Sequence, residues 1–111
     1  CGIVDRAMSG LLDDLKDRGL LDSTLVVWMG EFGRTPQLGK AGPPRFRGPG
    51  RGHYPKAFSA VLAGGGLRTG QAVGRTDDKG GTVEDRPTSP GDLVATICAA
   101  LGVDPTREYD T

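Results

Sequence analysis

Residues 24–36 read TLVVWMGEFGRTP, an apolar, β-branched run that gives way abruptly to glycine, a carboxylate and an arginine. Thr24 to Met29 is apolar on both parities, the pattern of a central strand covered on both faces in a parallel sheet. Upstream, Ile3, Val4, Ala7, Met8, Leu11, Leu12 and Leu15 recur at spacings of three and four, with Asp13, Asp14, Lys16, Asp17 and Arg18 on the other face, which predicts an amphipathic helix. Gly19 stands where a helix ends in a left-handed residue, and Asp22-Ser23 makes a polar turn before the strand. Helix, short turn and buried strand form the αβ half of a doubly wound unit, so the expected class is α/β.

Downstream, Gly30 to Pro55 loses all periodicity and is dominated by Gly, Pro and Arg. A loop of that length inside a compact domain is usually functional or disordered. Ala57 to Ala63 predicts a second strand closed by the Gly64-Gly65-Gly66 turn, Leu67 to Arg75 a short hairpin or edge segment, and Thr76 to Thr88 a loop. A last helix starts at Ser89-Pro90-Gly91-Asp92, with Ser89 as N-cap, Pro90 at the first helical position and Asp92 in the first turn where the helix dipole favours an acid. Its apolar stripe is Leu93, Val94, Ile97, Cys98 and Leu101, and Gly102 ends it.

The 111 residues amount to one domain or part of one, and no internal repeat is present. The longest apolar stretch, Leu25 to Met29, is strand-sized, so no membrane span is expected. The chain opens on Cys1 with no basic region leading into an apolar one, from which we expect part of a longer protein. Gly and Pro together number 27, yet they cluster between periodic segments, as in a loop-rich globular piece.

Net charge is zero, but it is unevenly spread. Residues 1–32 carry 3 basic and 6 acidic side chains, 33–76 carry 8 and 0, and 77–111 carry 3 and 8. Forty-four residues without a carboxylate can hold an anion, because no acid competes for the cations. Cys1 and Cys98 have no metal-ligand spacing, and Cys98 sits in an apolar helical pattern as a small buried thiol would.

In open α/β sheets the ligand crevice lies at the carboxyl ends of the strands, which puts Glu31 where a metal or substrate is held, although a solvent-exposed turn residue reads the same way. Arg34 is within reach of that crevice and can bind a phosphate or sulfate oxygen through its planar fork. His53, the only histidine, lies in Gly50-Arg51-Gly52-His53-Tyr54-Pro55 just before the second strand. Neutral imidazole is the commonest metal ligand, while a lone histidine is more often a packing residue, and one His with one Glu completes no metal site. Ser59 lacks the GxSxG context of a nucleophile elbow, and the Gly64-Gly65-Gly66 turn satisfies neither phosphate-loop pattern. Arg45, Arg47, Arg51 and Lys56 interleaved with Phe46 and Tyr54 suggest a nucleic-acid groove, but two aromatics make this the weakest of the anion candidates.

Taken in order, TLVVWMGEFGRTP, GRGHYP, AFSAVLAGGGLRTGQAVGRTD and SPGDLVATICAALGVDP resemble the carboxyl-terminal part of an uncharacterised bacterial family of sulfatase-like proteins in the alkaline phosphatase-like superfamily. The resemblance covers nearly the whole chain. It implies a three-layer α/β/α fold with a mostly parallel sheet, in which residues 1–111 form the C-terminal portion of a single domain. It also implies a divalent-metal centre (zinc, manganese or calcium) and hydrolysis of a small anionic ester, a phosphate or a sulfate.

Set on the pattern TLVVFTSDHG of that superfamily, Glu31 falls on the metal-binding Asp, Phe32 on the metal-binding His and Gly33 on the Gly, with His53 the counterpart of a later His. Glu31 and His53 are thereby the metal ligands and Arg34 the catalytic cation. Phe32 cannot bind metal, and Gly52 replaces an Asp that the family usually carries in GRDHWP, a carboxylate able to orient His53. The nucleophile and the other ligands would lie upstream of Cys1. The isolated polypeptide is therefore expected to be inert and poorly folded, with open sheet edges. A degenerate relative that keeps the fold but serves as a binding or cell-envelope protein is the alternative. The family's frequent export signals imply a periplasmic or envelope location.

Overall fold

A computed structural model describes residues 2–39, 50–104 and 106–108. Helix α1 spans Gly2–Asp17, followed by a 3₁₀ turn at Leu21–Ser23 and strand β1 at Leu25–Met29. Then come β2 (Gly33–Arg34), β3 (His53–Tyr54), β4 (Ala60–Gly64), β5 (Arg75–Thr76), β6 (Val83–Asp85) and helix α2 (Pro90–Ala100). Contacts divide the chain into two compact units. The first is made of residues 1–27, 62–71 and 89–111, the second of residues 28–61 and 72–88.

In the first unit both helices form where their periodicity predicts. Within α1, Met8, Leu12 and Leu15 are half-buried, whereas Ile3 and Leu11 are exposed. Gly19 adopts the left-handed conformation (φ +68°) that ends the helix, and its neighbour Leu20 returns an amide bond to Leu15 at 2.8 Å. The start of α2 is a full capping box: Ser89 Oγ accepts from the Asp92 amide at 3.2 Å while Asp92 Oδ2 accepts from the Ser89 amide at 2.7 Å. The Ser89 amide, and after it the Ser89 hydroxyl, which also donates to Oδ2 at 2.8 Å, hold the Asp92 carboxyl below its ordinary range. Gly64 (φ +72°) closes the glycine turn, because a Cβ there would enter the carbonyl oxygens of Leu21 and Thr24. The Gly65 amide, donating to Leu21 O at 3.0 Å, completes it.

The sheets correct the sequence reading. A three-layer α/β/α fold with a mostly parallel sheet requires helical crossovers between successive strands, and here both helices precede β1 or follow β6. Instead, among the described residues three two-stranded sheets form, β1 with β4, β2 with β3 and β5 with β6. The β2–β3 and β5–β6 ladders are antiparallel. Antiparallel pairing needs only a chain reversal, not a helical crossover. Thus residues 33–34, aperiodic in sequence, pair with residues 53–54, and a further antiparallel bridge joins Gly39 to Gly50. The polar stretch 76–88 yields β6 and the second residue of β5, whose first residue, Arg75, closes the expected edge segment.

Strand β1 is half-buried from Leu25 to Val27 and exposed at Trp28 and Met29, unlike a strand covered on both faces. No described residue is fully buried, and Ile3, Leu101 and Val94 are exposed by 89%, 67% and 58%. Cys98 is a half-buried free thiol. No helix among the described residues is long and apolar enough to cross a membrane.

Candidate functional site

The second unit gathers the residues singled out by sequence. In the β2–β3 ladder Arg34 lies directly opposite His53, and Gly33 opposite Tyr54. Gly33 is what permits the approach: a Cβ at this position would overlap the Ala57 carbonyl and lie 3.0 Å from the Tyr54 carbonyl oxygen. A backbone contact this close excludes every other residue type. Phe32, in the bend before β2, places its ring against the His53 imidazole, with centroids 3.8 Å apart and planes tilted by 33°. The Arg34 guanidinium sits 5.5 Å from the centroid of the same ring, within cation–π range.

Arg34 also donates to the Arg51 carbonyl at 3.3 Å, which among the described residues leaves most of its five N–H donors unspent at an exposed position. Arg51 is occupied otherwise. Its guanidinium donates to the carbonyl oxygens of Thr35, at 2.7 Å, and Pro36. Thr35 and Gly52 exchange two further bonds, Thr35 N–H to Gly52 O at 3.0 Å and Gly52 N–H to Thr35 Oγ1 at 3.1 Å. Five groups thus clamp two very short strands together.

Beneath His53 the chain is anchored by its neighbour. Tyr54 Oη donates to Gly81 O at 2.8 Å. Gly81 belongs to a turn organised by Asp77, whose Oδ1 accepts from the amides of Gly81 at 2.6 Å and Lys79 at 3.2 Å, while Oδ2 accepts from Thr82 Oγ1 at 3.2 Å. The Gly81 amide, foremost among these donors, holds the Asp77 carboxyl below its ordinary value. A depressed folded-state pKa contributes stability that is complete above the unfolded value of about 3.9 and is lost as pH falls through the folded value. Acidification is therefore expected to open the 77–82 turn only below the ordinary carboxylate range. Amide NMR shifts of Lys79 and Gly81 followed against pH report it; a midpoint at the ordinary Asp value would contradict the cage.

Glu31 is exposed and makes no hydrogen bond or ion pair among the described residues, so its carboxylate is available. His53 is exposed as well, and no hydrogen bond occupies either ring nitrogen among the described residues. The fold brings His53 against the residue next to Glu31. A carboxylate oxygen and an imidazole nitrogen are both ligand types for a divalent cation. No group of three or more His, Cys, Asp and Glu among the described residues has metal-binding geometry.

Sequence reasoning missed the parts played by Phe32 and Tyr54 and the second use of Arg51. Phe32 and Glu31 lie in a bend with no period to read, and the Tyr54–Gly81 bond joins residues 27 apart. Arg45, Phe46 and Arg47 of the candidate nucleic-acid groove lie outside the described residues, as does Cys1.

Neither the curated proteins nor the solved structures contain a match to this chain. A family described as a protein of unknown function (DUF1501) matches residues 1–111. Because that match runs the full length of the sequence, the chain belongs to the DUF1501 family.

Proposed function

We propose that this chain carries part of the centre of a metal-dependent hydrolase of phosphate or sulfate esters, akin to the sulfatase-like members of the alkaline phosphatase-like superfamily. The observation that carries the reading is the β2–β3 register. It sets a cation with free donors, Arg34, opposite an imidazole with free nitrogens, His53, in a segment of 44 residues without one acid.

Glu31 and His53 would hold the cation, zinc, manganese or calcium. When bound, such an ion polarises an ester oxygen or lowers the pKa of a water. Arg34 binds the anionic group of the ester through charge-assisted hydrogen bonds and neutralises charge as it develops. The Arg51 clamp and the Tyr54 anchor keep β2 and β3 in register and so hold Arg34 opposite His53. A periplasmic or envelope location accompanies this reading.

The test is hydrolysis of p-nitrophenyl phosphate and p-nitrophenyl sulfate by the intact protein with each metal in turn. Arg34→Ala is expected to lower kcat/KM by about 30-fold or more, the loss of a charge-assisted contact worth about 2 kcal/mol. Unchanged kcat/KM in that variant, or no metal-stimulated turnover, would overturn the reading. A second reading, a relative that binds anions or envelope partners without turnover, is favoured by one observation: His53 has a packing partner in Phe32.

A further inference from the structure

We infer that Phe32 is a positioning residue of this site, its ring in contact with His53 and within cation–π range of Arg34, pre-setting the Arg34 guanidinium for an oxyanion of the phosphate or sulfate class; the inference rests on the anion-binding reading above. Three independent features converge on the ring. Its face meets the His53 imidazole at 3.8 Å, the Arg34 guanidinium lies 5.5 Å from its centroid, and the ladder register already sets Arg34 opposite His53.

Arg34 and His53 are both exposed, and long exposed side chains sample many rotamers. Fixing an arginine costs rotamer entropy, which an anion would have to supply on binding. Phe32 and the Arg51 carbonyl, the latter accepting from Arg34 at 3.3 Å, restrict the guanidinium from two sides before any ligand arrives. An aromatic ring does so without competing for the outward N–H groups, as a carboxylate would. It also leaves both imidazole nitrogens free, because contact is made through the ring face.

The inference separates Phe32 from Leu of similar size: only an aromatic face serves. Inorganic phosphate is titrated into the intact protein and its Phe32→Leu and Phe32→Tyr variants by NMR, following the His53 ring and Arg34 side-chain protons. Phe32→Leu is expected to weaken phosphate binding by about five-fold or more and to abolish the ring-current shifts of His53 and Arg34, while Phe32→Tyr retains both. In all three proteins the Thr35 and Gly52 amides keep their protection from exchange.

Wild-type affinity in Phe32→Leu, or loss of Thr35 and Gly52 protection in that variant, overturns the inference, since the ring is then either idle or merely packing. Failure of Phe32→Tyr to retain binding and shifts overturns it too. If the wild type itself does not bind phosphate while the ring-current shifts are present, the anion-binding reading falls and this inference with it. That outcome differs visibly from a phosphate-binding wild type whose affinity is indifferent to Phe32.

Discussion

Replacing His53 with alanine in the intact protein is expected to lower turnover of a phosphate or sulfate ester by more than about 100-fold, a loss of about 2.7 kcal/mol in transition-state stabilisation. Even residues that only orient a metal ligand cost about 10- to 100-fold when removed, so deletion of a ligand itself must exceed that. Two functions of the side chain are separable. His53→Phe keeps a ring to stack on Phe32 but carries no nitrogen, and on this account it is as inactive as His53→Ala. Activity surviving in His53→Phe and lost in His53→Ala would reduce His53 to a packing residue. Steady-state kinetics with a chromogenic ester, at saturating metal, discriminate the two outcomes.

The second large effect is on the backbone. Gly33→Ala is expected to destabilise the second unit by about 3 kcal/mol, at the upper end of overpacking costs, because its Cβ would overlap the Ala57 carbonyl, which cannot swing away like a side chain. The strands involved are two residues each, so there is little ladder to absorb the displacement. Phe32 and Arg34 flank Gly33, and the same substitution is expected to erase the Phe32–His53 ring contact. Gly30→Ala is the control: a Cβ there meets only Phe32 O at 3.7 Å, an ordinary contact. Denaturant unfolding of both variants checks the pair; equal stability of Gly33→Ala and Gly30→Ala would mean that β2 is not seated against residues 54–57.

The elements that the sequence makes legible are those with a period or a cap. Helix α1 is announced by spacings of three and four, and α2 by Ser89-Pro90-Gly91-Asp92, whose capping box forms in full. Strand β1 is legible from its β-branched run, although apolar residues on both parities predict cover on both faces and Trp28 and Met29 are exposed. Strand β4 begins at Ala60, three residues later than its apolar pattern suggests, and takes in Gly64.

The antiparallel ladders could not be read in this way. A two-residue strand has no alternation, and what makes β2 and β3 pair is the absence of a side chain at Gly33 and hydrogen bonds from Arg51 and Thr35, residues that look like any loop. The candidate residues Glu31, Arg34 and His53 were legible as chemistry. The ring of Phe32, which in sequence stands only where a ligand is missing, touches His53 and lies within cation–π range of Arg34.

Metal analysis of the intact protein purified without chelator, beside Glu31→Ala and His53→Ala, tests the central claim most directly. The account predicts stoichiometric zinc, manganese or calcium in the wild type and its loss in both variants, with circular dichroism unchanged. A well-folded wild type without metal, or variants that retain it in full, would contradict the assignment of Glu31 and His53 as ligands.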